Sequence, residues 1–406
     1  MPSNLQAADY STAIIELTTQ TTIAALISNG KFSRVYLCYD RTSVSRSPTA
    51  CKVVKVYSRK TAEMRSRRIM DEKEVWQRIT LTRNPYIGQL LGTLKDSIHL
   101  YFVMGAYHCG HICLHIRGSE YGRFSPTVAR NYSVEIISAL LAIFKCGCVH
   151  RDIKASNCLI DRHGHVKICD FGASKGLLKP REYSSVMSDR AIMAPRTYTI
   201  IGTMHYMAPE MIARTSGYSF EVDWWSFGVL LYEMICGALP KFQNVPTVNN
   251  KDAIADAAAG LLPSQELSSM ALAAIQRPGR SMREMPSTET HATLRLSNES
   301  WYPTPSADDK LTLSSSIQHS DAWSLIQGLL VASPCDRLGP RAPNQLKDHQ
   351  FYEGINWEDV EVGAFPPPDA GFDRCLGFLD LEDDAQEMKT PEEIYIDAKL
   401  FKDFSS

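Results

Sequence analysis

Apolar and polar positions alternate with a period of two near the start of the chain and with a helical period further on. From Thr22, Ile23-Ala24-Ala25-Leu26-Ile27 and Val35-Tyr36-Leu37-Cys38-Tyr39 read as two strands around a tight turn over residues 28–34. Thr49-Ala50-Cys51-Lys52-Val53-Val54-Lys55-Val56 predicts a third strand. Ile69, Val75, Trp76 and Ile79 recur at roughly helical spacing in a charged run, which predicts a helix over 62–80. Asn84-Pro85 marks a turn, and Leu100-Tyr101-Phe102-Val103-Met104 predicts another strand. A long helix over 126–146 directs Val134, Ile136, Ile137, Leu140, Leu141 and Ile143 into a core. Residues 221–234 predict a second buried helix.

Between these helices lies the stretch that carries the chemistry. Asp161-Arg162-His163-Gly164-His165 reads as a hairpin turn between two short apolar strands, with Gly164 supplying a positive φ. Asp152 and Asn157 precede the hairpin and Asp170 follows it. Asp170 and Asn157 are hard oxygen ligands suited to Mg²⁺, Asp152 can accept a proton, and Lys154 places positive charge nearby. That combination suits phosphoryl transfer.

The same residues carry a resemblance. His150-Arg151-Asp152 with Asn157, then Asp170-Phe171-Gly172, resemble the H-R-D-x-x-x-x-N and D-F-G motifs of the eukaryotic protein kinases. Met207-Ala208-Pro209-Glu210 looks like the A-P-E motif. Phe401 and Phe404 resemble the F-x-x-F end of the AGC group, and Val222-Asp223-Trp224-Trp225 and Arg196-Thr197-Tyr198-Thr199 resemble the catalytic subunits of cyclic-AMP-dependent kinases. The implied fold is α+β and two-lobed, with a small β-rich lobe and a larger, mainly helical one. The implied boundaries are an extension over 1–21, a kinase domain over 22–360 (lobes 22–104 and 105–360, with a mobile insertion at 262–320) and a tail over 361–406.

The resemblance also assigns roles. It implies ATP and Mg²⁺ as cofactors and a protein serine/threonine kinase, with Asp152 as catalytic base, Lys154 beside the transferred phosphoryl, and Asn157 and Asp170 on the metal. Nucleotide contacts fall to Ile27, Gly30, Phe32, Val35, Ala50, Met104, Tyr107 and Leu159, together with Asp170. Of the family's glycine-rich loop only Gly30 remains, with Ser28 and Ser33 in place of the outer glycines. Ala50-x-Lys52 spacing selects Lys52 as the phosphate-binding lysine, and Lys55, on the opposite strand face, is the competitor. Glu72 is implied as its helical partner, with Glu74 and Asp71 as alternatives.

Thr199 matches the activation-loop phosphorylation position, where a phosphate would recruit Arg151. Thr390 and Ser405 resemble tail phosphorylation sites. Thr203 would contact Asp152 and Lys154, Asp223 would hold the catalytic-loop backbone, and Arg337 would pair with Glu210. The acidic residues that read substrate arginines in the cyclic-AMP-dependent kinases fall at His111 and Ser156, which weakens a preference for basic substrates. The implied partners are proteins bearing Ser or Thr, with a regulatory subunit or an upstream activating kinase. The reduced glycine loop and long insertions leave a pseudokinase scaffold as the alternative.

Composition adds little to this. A net charge of −2 gives no general pull toward nucleic acid or anionic membrane. No run of eighteen apolar residues is present, so no membrane span is expected. Met1-Pro2-Ser3 opens neither a secretory nor a myristoylation signal. Eleven cysteines, odd in number and mostly in apolar runs, fit a reducing compartment, the cytoplasm or nucleus. His108 to His115 alternates potential metal ligands, but a helix would not converge that spacing on one tetrahedral ion.

Overall fold

Five antiparallel strands form the largest sheet: β1 (Thr21–Asn29), β2 (Arg34–Asp40), β3 (Lys52–Ser58), β4 (Leu90–Lys95) and β5 (His99–Gly105). A computed structural model describes residues 21–29, 32–40, 52–58, 61, 64–95, 99–107, 109–178, 195–213, 217–242, 303–304, 321–339 and 343–368. The strand order is β1-β2-β3-β5-β4. Val54 pairs with Val103 and Val56 with Tyr101, and together with Leu94 they make one apolar face. Lys55 pairs with Phe102 and Tyr57 with Leu100, so Lys55, Tyr57 and Phe102 share the other face. Against that face lies helix α1 (Ser66–Thr80), through Trp76 stacked on Phe102 at 6.3 Å between ring centroids.

The turn between β1 and β2 is tighter than expected. Ser28 already pairs with Val35 and Asn29 with Arg34, so the connection is only residues 30–33. The described part of the third strand runs from Lys52, Thr49–Cys51 lying outside the described residues, and α1 begins at Ser66.

The chain divides into two compact units. The first comprises Met1–Leu114, Ser156–Ser174 and Glu358–Ser406, so it holds the sheet and α1 along with the hairpin of β7 (Cys158–Ile160) and β8 (Val166–Ile168). As anticipated, the hairpin turns at Gly164, whose φ is +87°. Asp161 accepts the backbone N–H groups of His163 and His165 at 2.9 and 3.0 Å, closing it as an Asx-type turn.

The second unit, His115–Ala155 with Lys175–Trp357, is mainly helical. Its core helix α2 (Pro126–Lys145) opens on Ser125, which accepts the Val128 N–H, with Pro126 in the first turn. By composition α2 could cross a membrane, but 72% of its apolar window is buried inside the protein, so its apolarity serves a core. Helix α3 (Glu221–Cys236) is apolar all round and packs against α2 and α4 (Asp321–Leu329). Two short pairings complete the unit. β6 (Cys148–Val149) pairs with β9 (Lys175–Gly176), and β10 (Lys241–Phe242) with β11 (Pro303–Thr304).

The fold is thus α+β, with one small β-rich and one larger helical unit, as the resemblance implied. Among the described residues eight cysteines are free thiols. The insertion expected at 262–320 falls outside the described residues, apart from Pro303–Thr304. Gly30, Ala50, Thr390, Phe401, Phe404 and Ser405 also lie outside them.

Arg337 pins α3 to the segment that begins with Glu210. Its guanidinium meets both Glu210 oxygens, at 2.7 and 3.0 Å, and donates to the carbonyls of Glu221 and Val331. Both side chains are nearly sequestered, at 1% and 9% exposure. Removing one partner of such a pair leaves the other charge buried and uncompensated. Arg337→Ala is therefore expected to lower the unfolding free energy by about 3–5 kcal/mol in urea titration. Arg337→Lys should recover little of that loss, since an ammonium cannot fork across both oxygens.

Candidate active site

In the first unit the site is built around a buried acid. Glu72 is 1% exposed, and strand parity brings two donors of β3 to its two oxygens. Lys55 Nζ donates to Oε1 at 2.9 Å and the Tyr57 hydroxyl to Oε2 at 2.7 Å. Lys55 also reaches Asp170 Oδ1 at 2.9 Å, so one ammonium joins β3, α1 and the loop after β8. Burial alone would lower the Lys55 pKa, but Asp170 and then Glu72 more than reverse it and hold it well above the usual lysine value.

This corrects the choice of lysine. Lys55, not Lys52, pairs with Glu72. The Ala-x-Lys spacing pointed to Lys52, but it is Lys55 that shares with Tyr57 the strand face turned to α1. Lys52 is placed here by its backbone alone, paired with Cys38 and Gly105. Glu72 takes this position rather than its alternatives. Glu74 is 68% exposed and pairs with Arg78 one helical turn on.

The loop at Asp170 is held from several sides. Asp170 adopts a left-handed φ of 60°, accepts the Gly172 N–H at 3.4 Å, and its side chain is 51% exposed. Phe171 is fully buried, its ring 5.3 Å from that of Trp76. Gly172 matters for space: a Cβ there would lie 3.2 Å from Asp170 Oδ1 and 3.3 Å from Lys55 Nζ. Asn157 is buried, and its carbonyl accepts the Cys169 N–H at 2.9 Å, tying the loop before β7 to the loop after β8. Asp170 and Asn157 thus offer a carboxylate and an amide oxygen, a donor set that fits Mg²⁺.

A cavity of about 230 Å³ adjoins this cluster, lined in part by Phe32, Ser33, Lys55, Arg65, Arg68 and Asp170. Phe32 does not project freely from its turn, because the Arg65 guanidinium stacks on its ring at 3.3 Å. Of the other expected nucleotide contacts, Ile27 and Val35 are half-buried on β1 and β2, and Met104 is half-buried on β5 opposite Val53. Tyr107 folds back so that its hydroxyl accepts the Gln89 N–H at 3.1 Å, and burial raises its pKa. Leu159 is half-buried on β7, bridged to His111. Among the described residues, no three His, Cys, Asp or Glu side chains converge to hold a metal ion.

The second unit brings Asp152, Lys154 and Thr203 together. Asp152 Oδ1 accepts the Thr203 hydroxyl at 2.8 Å and Oδ2 accepts Lys154 Nζ at 2.8 Å. Lys154 also donates to Thr203 Oγ1 at 2.7 Å, so the three side chains close a ring. The backbone around Asp152 hangs on α3, since Asp223 accepts the N–H groups of His150 and Arg151, both at 2.7 Å. Burial pushes the Asp223 carboxyl up, opposed by His150 and Arg151. Arg151 itself has a φ of 68°. Gly202, at φ +108°, packs so tightly on this loop that a Cβ would meet the Arg151 carbonyl oxygen at 2.3 Å. Arg151 donates to the Tyr218 hydroxyl at 3.4 Å, and that hydroxyl donates to the Thr199 carbonyl.

Tyr57 was missed in the sequence. The available signal was its spacing: two residues beyond Lys55 on a strand, it necessarily shares Lys55's face.

A family model described as Protein kinase domain matches residues 22–352. A Caenorhabditis elegans protein named cAMP-dependent protein kinase, catalytic subunit-like, is 32% identical over 345 residues, 84% of this chain and 67% of that protein. A Caenorhabditis briggsae protein of the same name is 36% identical over 229 residues, 56% of this chain and 52% of its own length. A putative protein kinase C delta type homolog of Drosophila melanogaster is 43% identical over 159 residues, 39% of this chain and 21% of that protein. The matches to the latter two thus span about half and a fifth of those relatives.

The two lysines of β3 can be separated by experiment. Lys55→Met is expected to weaken Mg-ATP binding by at least about tenfold, the loss of a charge-assisted contact. Lys52→Met should leave binding within about twofold. Calorimetric titration of the two variants checks both.

Proposed function

Because the chain belongs to the protein kinase family, we propose that it transfers the γ-phosphate of ATP to serine and threonine hydroxyls of protein substrates. The observation that carries this reading is the ring of Asp152, Lys154 and Thr203. Asp152 is the proton acceptor for the attacking hydroxyl, and the Thr203 hydroxyl now occupying Oδ1 marks where a hydroxyl donor can approach it. Lys154 holds the carboxylate in place and offers positive charge to the phosphoryl group in transit.

Lys55, fixed by Glu72, binds the nucleotide phosphates as a charged donor. Asp170 and Asn157 would hold Mg²⁺, which supplies charge neutralisation at the phosphate oxygens. The serine/threonine assignment rests on Lys154 and Thr203 together. Ile200, Met204 and Met207 offer an apolar surface for the residue after the target hydroxyl. We assign control to phosphorylation of Thr199, whose carbonyl is already connected to Arg151 through Tyr218. The catalytic domain is taken as residues 22–360, and a cytoplasmic or nuclear setting with an upstream kinase and a separate regulatory subunit completes the proposal.

The test compares wild type, phosphorylated at Thr199, with Asp152→Asn on a generic protein substrate and Mg-ATP. Wild type is expected to label serine and threonine, with kcat reduced about 10²–10⁴-fold in the variant, the usual contribution of a positioned base. A folded, Thr199-phosphorylated wild type that binds but does not transfer would replace this reading with a scaffold built on the same fold.

A further inference from the structure

Glu72 has two carboxylate oxygens, and only one is used by Lys55. The other accepts the hydroxyl of Tyr57 at 2.7 Å, from the same strand. We propose that Tyr57 is a positioning residue for the proposed phosphoryl transfer: it locks Glu72 in the orientation that presents Oε1 to Lys55, and so sets how well Lys55 engages nucleotide. This inference rests on the kinase reading for its catalytic consequence, but not for its structural one.

Tyr57 is tied into the same cluster at its ring and at its hydroxyl. Its side chain is 6% exposed, and its ring meets Phe102 edge-on at 5.8 Å. The ring also lies 5.3 Å from Lys55 Nζ, so the ammonium rests beside the same side chain that braces its partner. Burial holds the phenol protonated, with a pKa raised above the usual tyrosine value, so the hydroxyl remains a donor across the working pH range. A carboxylate held by one donor can rotate about its last torsion. Held at both oxygens from one strand, it cannot turn without breaking a bond to a charged acceptor.

Tyr57→Phe removes the hydroxyl and keeps the ring. A hydrogen bond to a charged group is worth roughly tenfold or more in an equilibrium. We therefore expect amide exchange in residues 66–80 to accelerate about tenfold or more, and kcat/KM for ATP to fall by a similar factor, mostly through KM. KM for the protein substrate should not change.

The deciding measurement is a double-mutant cycle read by amide exchange. In a Glu72→Ala background, Tyr57→Phe should add little, because the acceptor is already gone. An equal loss of protection in both backgrounds, or a general loss over all peptides, would assign Tyr57 to packing and overturn the proposal. Unchanged exchange in 66–80 with unchanged ATP affinity would overturn it as well. Should wild type transfer no phosphate, the kinase reading fails by itself, and the exchange cycle still decides whether Tyr57 holds Glu72.

Discussion

A carboxylate buried to 1% exposure must be compensated in place, and the first unit is arranged so that Glu72 is. Strand β3 presents Lys55 and Tyr57 on one face, and α1 delivers Glu72 to them. The rest of α1 then has to sit where that contact requires. Trp76, one turn further on, fills the space between Phe102 and Phe171 and donates its indole N–H to the Gly88 carbonyl at 2.6 Å. Phe171 is the neighbour of Asp170, the second carboxylate on Lys55. One ion pair therefore fixes a strand, a helix and the loop that carries the metal-ligand candidate.

The second unit solves a similar problem with backbone rather than side-chain donors. The loop around Asp152 has no regular structure to satisfy its amides, and Arg151 sits at a φ that non-glycine residues rarely adopt. Asp223, anchored on the buried helix α3, accepts the two N–H groups that such a turn would otherwise leave unpaired. Arg337 in turn fastens the start of α3 through the Glu221 carbonyl and the Glu210 carboxylate. Asp152 thus owes its position to residues far from it in sequence. The close fit of Gly202 over the Arg151 carbonyl adds a second constraint, from the segment that also brings Thr203 to Asp152.

Most of this was legible in the sequence, and the exceptions have physical causes. Hairpin, helices and the loop acids follow from local period and turn chemistry, as does Gly164 as a turn. The contacts of Asp223, Arg337 and Thr203 were legible through the resemblance, because motif spacing fixes them. Lys52 against Lys55 was a question of which strand face looks at α1. Local alternation separates the two faces but cannot say which one the helix covers. The tight turn at residues 30–33 was misjudged because Ser28 and Asn29 read as turn formers, whereas pairing with Val35 and Arg34 extends β1 through them. Tyr57 escaped notice because a tyrosine on a strand ordinarily signals packing.

The charge on Lys55 ties these features to function. Desolvation favours a neutral amine, and the largest opposing influence is Asp170 rather than Glu72. Asp170 is also the half-exposed carboxylate that suits a metal ion. In the proposed reaction Asp170 would be shared with Mg²⁺, which would supply charge neutralisation, and Glu72 would remain as the carboxylate held on Lys55. Glu72 can fill that role only while Oε1 stays aimed at Lys55. Full burial, a second donor on Oε2 and a helix pinned by Trp76 all act in that direction. The rigidity around Glu72 therefore keeps Lys55 paired at Oε1, whatever else Asp170 binds.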